Sequence, residues 1–120
     1  MTSAKQAVKD ILNELPTLLA VAVVETETGM PLASHSNLAE FDIETAAAYN
    51  TEVVKQKLKA VQALKLNQTV QDILLTLTDQ LHVIKLSPKG DKFIYLAVNS
   101  RDTNLAVARQ ILKAQTAVLN

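Results

Sequence analysis

A long central helix is the feature that most constrains the fold of this chain. The segment from Phe41 to Leu64 contains no glycine or proline, and Asp42 lies at its start, where a side-chain oxygen can cap a helix. Its apolar residues form two adjoining stripes at helical spacing, which together exceed the ~100° arc that a surface helix needs to cover one sheet. We therefore expect one stripe to cover a sheet and the other to need a second partner. The first stripe contains Ile43, Ala47, Val54, Leu58 and Val61, and the second contains Ala46, Tyr49, Val53, Ala60 and Leu64.

Strand-like segments flank this helix on both sides. Before it, Leu18 to Glu25 is short, β-branched and apolar, as is typical of a strand covered on both faces, and Met30 to Ser34 returns after a tight turn at Gly29. Pro31 has no backbone N–H to donate, so this second strand is expected at an edge of the sheet. Three further strands, linked as hairpins, are predicted after the helix. They are Val70–Thr78, Leu81–Leu86 and Lys92–Val98.

Amphipathic helices are predicted at both ends of the chain. Ala4–Leu15 carries one apolar stripe and ends before Pro16, while a last helix opens near Thr103 or Asn104 and runs to Leu119. The element order is therefore α-β-β-α-β-β-β-α. This order predicts an α+β fold with a five-stranded, mostly antiparallel sheet, the two terminal helices on one face and the long central helix on the other.

Composition excludes several classes of function. The 12 Lys and Arg residues balance 12 Asp and Glu residues, and aromatic residues make up only 3%, so we predict no nucleic-acid partner. The lack of cysteine rules out disulfides and thiolate metal sites and, with no signal sequence, fits a reducing cytosol. The longest apolar run, Leu18–Val24, is about a third of the ~20 residues needed to span a bilayer, so no direct membrane insertion is expected.

The sequence contains no motif for catalysis or ligand binding. His35 and His82 are far apart, with no third metal ligand at a suitable spacing, and His82 is predicted to be a structural histidine that is hydrogen-bonded or partly exposed. Ser34 and Ser36 adjoin His35, but neighbouring strand residues point to opposite faces, which argues against a nucleophile and its base. The two glycines cannot form a nucleotide-binding loop. We therefore predict no catalytic residue, no cofactor, no metal and no enzymatic activity.

Charge is distributed unevenly along the chain. Residues 1–54 carry eight acids and two bases, a net charge of −6, while residues 55–120 carry ten bases and four acids, a net charge of +6. The long helix follows the same order, with acids in its first half and bases in its second. Two such helices packed antiparallel would each place an acidic half beside a basic half, so this order favours antiparallel pairing.

The hairpin and the elements after it together resemble one protein family. The stretch Val23–Ser34, in which an apolar strand ends in an acidic turn with glycine and returns through Leu-Ala-Ser, is similar to the first hairpin of the Roadblock/dynein light chain family. The long alanine-rich helix, three consecutive strands and the segment Asp102–Leu105, with Arg109 downstream, follow in that family's order. The resemblance covers nearly the whole chain and implies a single Roadblock-type domain over residues 1–120.

The resemblance also implies a function. Similar family members are small cytoplasmic dimers that bind and regulate Ras-like GTPases, as the bacterial MglB proteins do, or assembly subunits of dynein and of lysosomal scaffolds. In such dimers the long helices pair antiparallel and the third strands join into one sheet. We therefore expect a cytoplasmic homodimer that regulates or scaffolds a small GTPase or a larger scaffold protein. The alternatives are an architectural adaptor of a motor, pilus or membrane scaffold complex, and a small-ligand sensor or enzyme on a profilin-like fold.

Two sets of residues are expected to carry this function. The dimer interface is assigned to Ala46, Tyr49, Val53, Ala60, Leu64, Ile73, Leu75 and Leu77. The candidate surface for the partner protein is an exposed polar stripe on the long helix that contains Glu44, Thr51, Glu52, Lys55 and Lys59.

Overall fold

Three helices and five strands follow one another in the order predicted from the sequence. The structure, a computed structural model, describes residues 1–120. The helices are α1 (Ala4–Glu14), α2 (Ile43–Ala63) and α3 (Leu105–Val118). The strands are β1 (Ala20–Glu25), β2 (Pro31–Ser36), β3 (Ile73–Thr76), β4 (Gln80–Leu86) and β5 (Lys92–Asn99).

All five strands belong to one sheet. Their order is β2-β1-β5-β4-β3, and every neighbouring pair is antiparallel. β2, which begins at Pro31, is an edge strand as predicted, and β3 forms the other edge. The element order and the antiparallel sheet confirm the predicted fold class.

Side-chain caps fix where the second and third helices begin. Asp42 Oδ1 accepts a hydrogen bond from the Thr45 N–H at 3.0 Å, so α2 begins where the sequence predicts. Hydrogen bonds from the Thr45 hydroxyl and N–H also lower the pKa of Asp42. Asn104, one of the two predicted starts of the last helix, caps α3, because its Oδ1 accepts from the Ala106 N–H at 2.7 Å.

The sheet separates two apolar cores. Because successive strand residues point to opposite faces, Val21 and Val23 of β1 pack beneath α1 and α3, whereas Ala20 and Ala22 pack beneath α2. These small alanine side chains let α2 approach the sheet closely, and Ala47 of α2 is fully buried there. The predicted layers, with the terminal helices on one face and the central helix on the other, are confirmed.

β3 is shorter than the predicted strand. The sequence predicts a strand over Val70–Thr78, but only Ile73–Thr76 pairs with β4. Just before β3, the Asp72 side chain is bound to Arg109 of α3, and a tight turn into β4 follows the strand. An edge strand has a neighbour on one side only, so contacts outside the sheet decide how far it extends.

α2 covers only part of its own face of the sheet. It packs against β1 and β2, and its buried side chains are Ala47, Thr51 and Val54. Every residue from Lys55 to Ala60 is exposed. The second half of α2 therefore extends beyond the core that its first half covers. None of the three helices combines the length and the apolar character needed to cross a membrane.

Candidate protein-interaction site

An apolar surface on the α2 side of the sheet is left uncovered by the chain itself. Tyr49 of α2 is 68% exposed, and Leu75 of β3 is 53% exposed. Large apolar side chains left exposed on one side of a sheet suit a protein-interaction site. We call this surface the open patch. It consists of Tyr49, Val53, Ala60 and Leu64 on α2, and of Leu75 and Leu77 on β3 and the turn after it.

Side-chain alternation along β3 decides which of its residues join the open patch. Ile73 lies opposite Ile84 of β4 and packs into the core beneath α2. Leu75, two residues further along, points to the same face of the sheet. It lies opposite His82 and stays half exposed. β3 therefore presents an apolar side chain on the α2 side and, because it is an edge strand, an unpaired backbone edge.

The eight residues predicted for a dimer interface lie on the same side of the sheet. Ala46 and Ile73 are partly buried against the core beneath α2. The other six are the exposed members of the open patch. Their accessibility suits an interface, and their role in one stays a prediction.

One member of the predicted partner surface is not exposed. Thr51 is only 5% exposed, and its hydroxyl donates to the Ala47 carbonyl at 2.7 Å. It also packs against the β1–β2 turn, where a Cβ added to Gly29 would lie 3.3 Å from Thr51 Oγ1. The expectation that Thr51 belongs to an exposed polar stripe is therefore wrong. Its helical spacing from Ala47 and Val54, about one turn from each, is the sequence signal that places it on the buried side.

Lys55 is engaged by the same turn. Its Nζ donates to the Glu27 carbonyl at 2.8 Å, and because the two residues are 28 positions apart no local pattern reveals the contact. Glu44, Glu52 and Lys59 are exposed and form no ion pair within the chain. These three charges are the part of the predicted partner surface that is free to bind another molecule.

A polar network lies beside the open patch. His82 Nδ1 is 3.0 Å from the Tyr95 hydroxyl, and His82 Nε2 is 2.7 Å from Gln80 Oε1. Because an amide oxygen only accepts, Nε2 carries the proton and the Tyr95 hydroxyl donates to Nδ1. Burial lowers the pKa of His82 and raises that of Tyr95 to about 12, so both side chains are neutral near pH 7. Both ring nitrogens of His82 are therefore hydrogen-bonded, as the sequence predicts.

The chain is similar in structure to known proteins. No family model matches the sequence, and no curated protein matches it either. The fold is similar to the Roadblock/LC7 domain from Streptomyces avermitilis, with a TM-score of 0.80 and 12% identity over 96% of this chain and 92% of that chain.

Two bacterial MglB structures are also similar. Myxococcus xanthus MglB matches with a TM-score of 0.75 and 13% identity, over 94% of this chain and 85% of that chain. The gliding protein MglB from Thermus thermophilus matches with a TM-score of 0.76 and 11% identity, over 98% of this chain and 88% of that chain. Identities this low establish the fold alone. At that level the resemblance drawn from the residues is confirmed, and the chain has the Roadblock/LC7 fold.

Proposed function

We propose that this protein is a dimeric, non-catalytic binding module that regulates or scaffolds a Ras-like small GTPase. The observation that carries the proposal is the open patch, because one copy of the chain leaves large apolar side chains of both α2 and β3 in water. The Roadblock/LC7 fold supports the same arrangement, since the family resemblance implies dimers built from the long helices and the third strands.

A second copy of the chain is the occupant that suits the open patch. β3 has a neighbour on one side only, and two β3 strands related by a two-fold axis can pair antiparallel and extend the sheet across both copies. Such pairing would also remove an exposed edge to which other chains could add. Because the patch includes α2 and β3, the helix contacts and the strand contacts would form together.

Charges on α2 favour one orientation of the two copies. Glu52 and Lys57 border a shallow depression formed with Tyr49 and Val53 of the open patch. No charged side chain of α2 has an ion-pair partner within one copy. In an antiparallel pair each acidic first half lies beside a basic second half, whereas a parallel pair would set like charges together. Exposed ion pairs contribute only about 0.2–1 kcal/mol each, so the apolar contacts supply most of the affinity.

The GTPase is proposed to bind the charged outer surface of α2. Glu44 and Lys59 are exposed there, with Glu52 between this surface and the open patch. A polar surface of this kind suits a transient contact. A regulator requires such a contact because it must release the GTPase when the GTPase changes its nucleotide state. Regulation further requires that the module bind one nucleotide state of the GTPase more tightly than the other.

The small-ligand alternative finds little support in the cavity between two turns at one end of the sheet. A cavity of about 460 Å³ lies between the β1–β2 turn and the β4–β5 turn, and no hydrophobic side chain lines it. Its lining consists of Glu25, Thr26, Glu27, Lys89, Gly90, Asp91 and Lys92. Small-molecule sites are mostly apolar, with a few convergent polar groups. The open patch therefore remains the better candidate for function.

Sedimentation equilibrium tests the dimer directly. We expect the wild-type chain to sediment as a dimer and Leu75→Glu to shift it towards monomer, because a charge would be buried in the interface. Val107→Glu is the matched control. Val107 is 50% exposed, a fraction similar to the 53% of Leu75, but it lies on α3, on the opposite face of the sheet. Equal association of Leu75→Glu and wild type would overturn the proposed interface.

A binding experiment tests the GTPase. Immobilised protein is incubated with native lysate containing either GTP or GDP, and captured proteins are identified by mass spectrometry. We expect a Ras-like GTPase to be enriched under one nucleotide condition, and Lys59→Glu to reduce its capture while the dimer persists. Enrichment of a motor or scaffold component under both conditions would instead favour the architectural adaptor.

A further inference from the structure

β3 is weakly held for a strand on which a dimer would depend. It has four residues, and it pairs only with β4. Residues 66–72, which lead into it from the end of α2, form neither helix nor strand. Pairing with β4 fixes only these four residues, so contacts outside the sheet also bear on where this edge lies.

Two cationic side chains hold the chain just before β3. Arg109 of α3 donates to both carboxylate oxygens of Asp72, from Nε to Oδ2 at 2.8 Å and from Nη2 to Oδ1 at 3.1 Å. Lys85 of β4 donates from Nζ to the Gln71 carbonyl at 2.6 Å. The Asp72 side chain is 17% exposed and the Arg109 side chain 45%, so the carboxylate of this bidentate pair is largely shielded from water. A guanidinium fork fixes both the distance and the orientation of a carboxylate.

The Arg109–Asp72 pair acts from the face opposite the open patch. α3 packs on one side of the sheet, whereas Ile73, the residue after Asp72, packs on the α2 side. The pair therefore restrains the backbone at the start of β3 from the α3 side of the sheet. This restraint in turn sets the position of Leu75, two residues beyond Ile73. We propose that Arg109 and Asp72 are positioning residues that hold β3 in place for pairing with a second copy.

This inference rests on the proposed dimer. A second ion pair near β3 provides a matched control. Arg101 Nη2 lies 3.9 Å from Asp79 Oδ1 beside the β3–β4 turn, and the two side chains are 81% and 65% exposed. It makes one long contact in water, where an ion pair contributes little. If only charge near β3 mattered, changes to the two pairs would weaken the dimer equally. If positioning matters, only changes to Arg109–Asp72 weaken it.

The experiment compares Arg109→Lys and Asp72→Asn with Arg101→Lys and Asp79→Asn. Arg109→Lys keeps the charge but loses the fork, and Asp72→Asn keeps the shape but loses the charge. We expect each to weaken the dimer about threefold to tenfold and to speed amide hydrogen exchange across Ile73–Thr76. The control variants should stay within about twofold of wild type. Dimer dissociation constants are measured by sedimentation well below the melting temperature of every variant.

A double-mutant cycle distinguishes positioning from general destabilisation. Arg109→Lys combined with Asp72→Asn should weaken the dimer little more than either change alone, because both remove the same contact. A lowered melting temperature with unchanged dissociation constant and unchanged exchange in β3 would overturn the inference while leaving the dimer intact. If the wild-type chain is monomeric, the proposed dimer fails, and the inference fails with it even where Arg109→Lys still speeds exchange in β3.

Discussion

The helices of one chain cover the two faces of its sheet to different degrees. On the face beneath α1 and α3, fourteen buried residues form the core, whereas nine do so beneath α2, although α2 is the longest helix. The second half of α2 extends beyond the core, and Leu75 of β3 stays half exposed on the same side of the sheet. The length of a helix therefore does not decide whether it fully covers its face of the sheet. The α1 and α3 side is complete in one copy, and the α2 side is complete only in the proposed dimer.

Removing one leucine from each face of the sheet tests this difference most directly. Leu112 of α3 is fully buried, so Leu112→Ala should lower the free energy of unfolding by about 2–5 kcal/mol. Leu75 is 53% exposed, so Leu75→Ala should cost the monomer less than about 1 kcal/mol. Urea denaturation at concentrations that keep the chain monomeric measures both. Similar losses at the two positions would show that the α2 face is already closed within one copy.

Local sequence patterns accounted well for the closed parts of the molecule. The caps at Asp42 and Asn104, the proline that puts β2 at an edge, and the alternation along β1 each depend on residues close in sequence. Helical and strand periodicity also identified which side of each element faces a core. These features are set by backbone hydrogen bonding and by apolar burial, which act over one or two turns or strand steps.

Contacts between distant residues account for what the sequence did not reveal. The Lys55 contact with Glu27 joins residues 28 positions apart, and Arg109 reaches Asp72 across 37 positions. The Lys55 contact engages part of the predicted partner surface, and the Arg109–Asp72 pair lies where β3 begins. Thr51 is an intermediate case, since its helical spacing indicated burial but its polarity suggested exposure. Side-chain type alone is therefore a weak guide where two elements approach closely.

A pair of glycines tests how tightly the α2 face is closed at the β1–β2 turn. Gly29 and Gly90 both have a φ of 76°, so alanine at either position carries a similar backbone cost. A Cβ at Gly29 would lie 3.3 Å from Thr51 Oγ1, whereas at Gly90 the nearest atom, of Leu86, is 4.0 Å away. We expect Gly90→Ala to lower the unfolding free energy by about 1 kcal/mol and Gly29→Ala by about 2 kcal/mol. If urea denaturation gave equal losses of unfolding free energy for the two variants, α2 would be able to shift at this turn without cost.

Charge reversal on α2 tests how the open face is closed by a second copy. Lys57→Glu should weaken the dimer by up to about 1 kcal/mol at low salt, with partial recovery as salt rises, because the basic half would then meet like charge. Lys55 is left unchanged, since it binds the Glu27 carbonyl of its own chain, and so is Lys59, which lies on the outer surface of α2 proposed for the GTPase. The measurement is the dimer dissociation constant by sedimentation at two salt concentrations.

Complementary reversal provides the control for orientation. A second chain with Glu52→Lys should pair with the reversed chain as a heterodimer, because the order of charges is restored across the interface. Lys9→Glu, an exposed change on α1 on the opposite face, should leave association unchanged. A reversed chain that dimerises as tightly as wild type at low salt would show that these charges face solvent or another partner.

The smallest expected effect concerns the pH dependence of the open face. Burial lowers the pKa of His82 in the folded chain below its ordinary value of 6.5. Between those two pKa values the unfolded chain binds more protons, so the stability that neutral His82 contributes is complete above about pH 6.5 and is lost as pH falls towards the folded pKa. Protonation at Nδ1 would also oppose the hydrogen bond that the Tyr95 hydroxyl donates there. His82→Gln should flatten the dependence of unfolding free energy on pH between about pH 7 and pH 5. Urea denaturation across this range measures it, and identical slopes for wild type and variant would show that other groups, not His82, couple this face to pH.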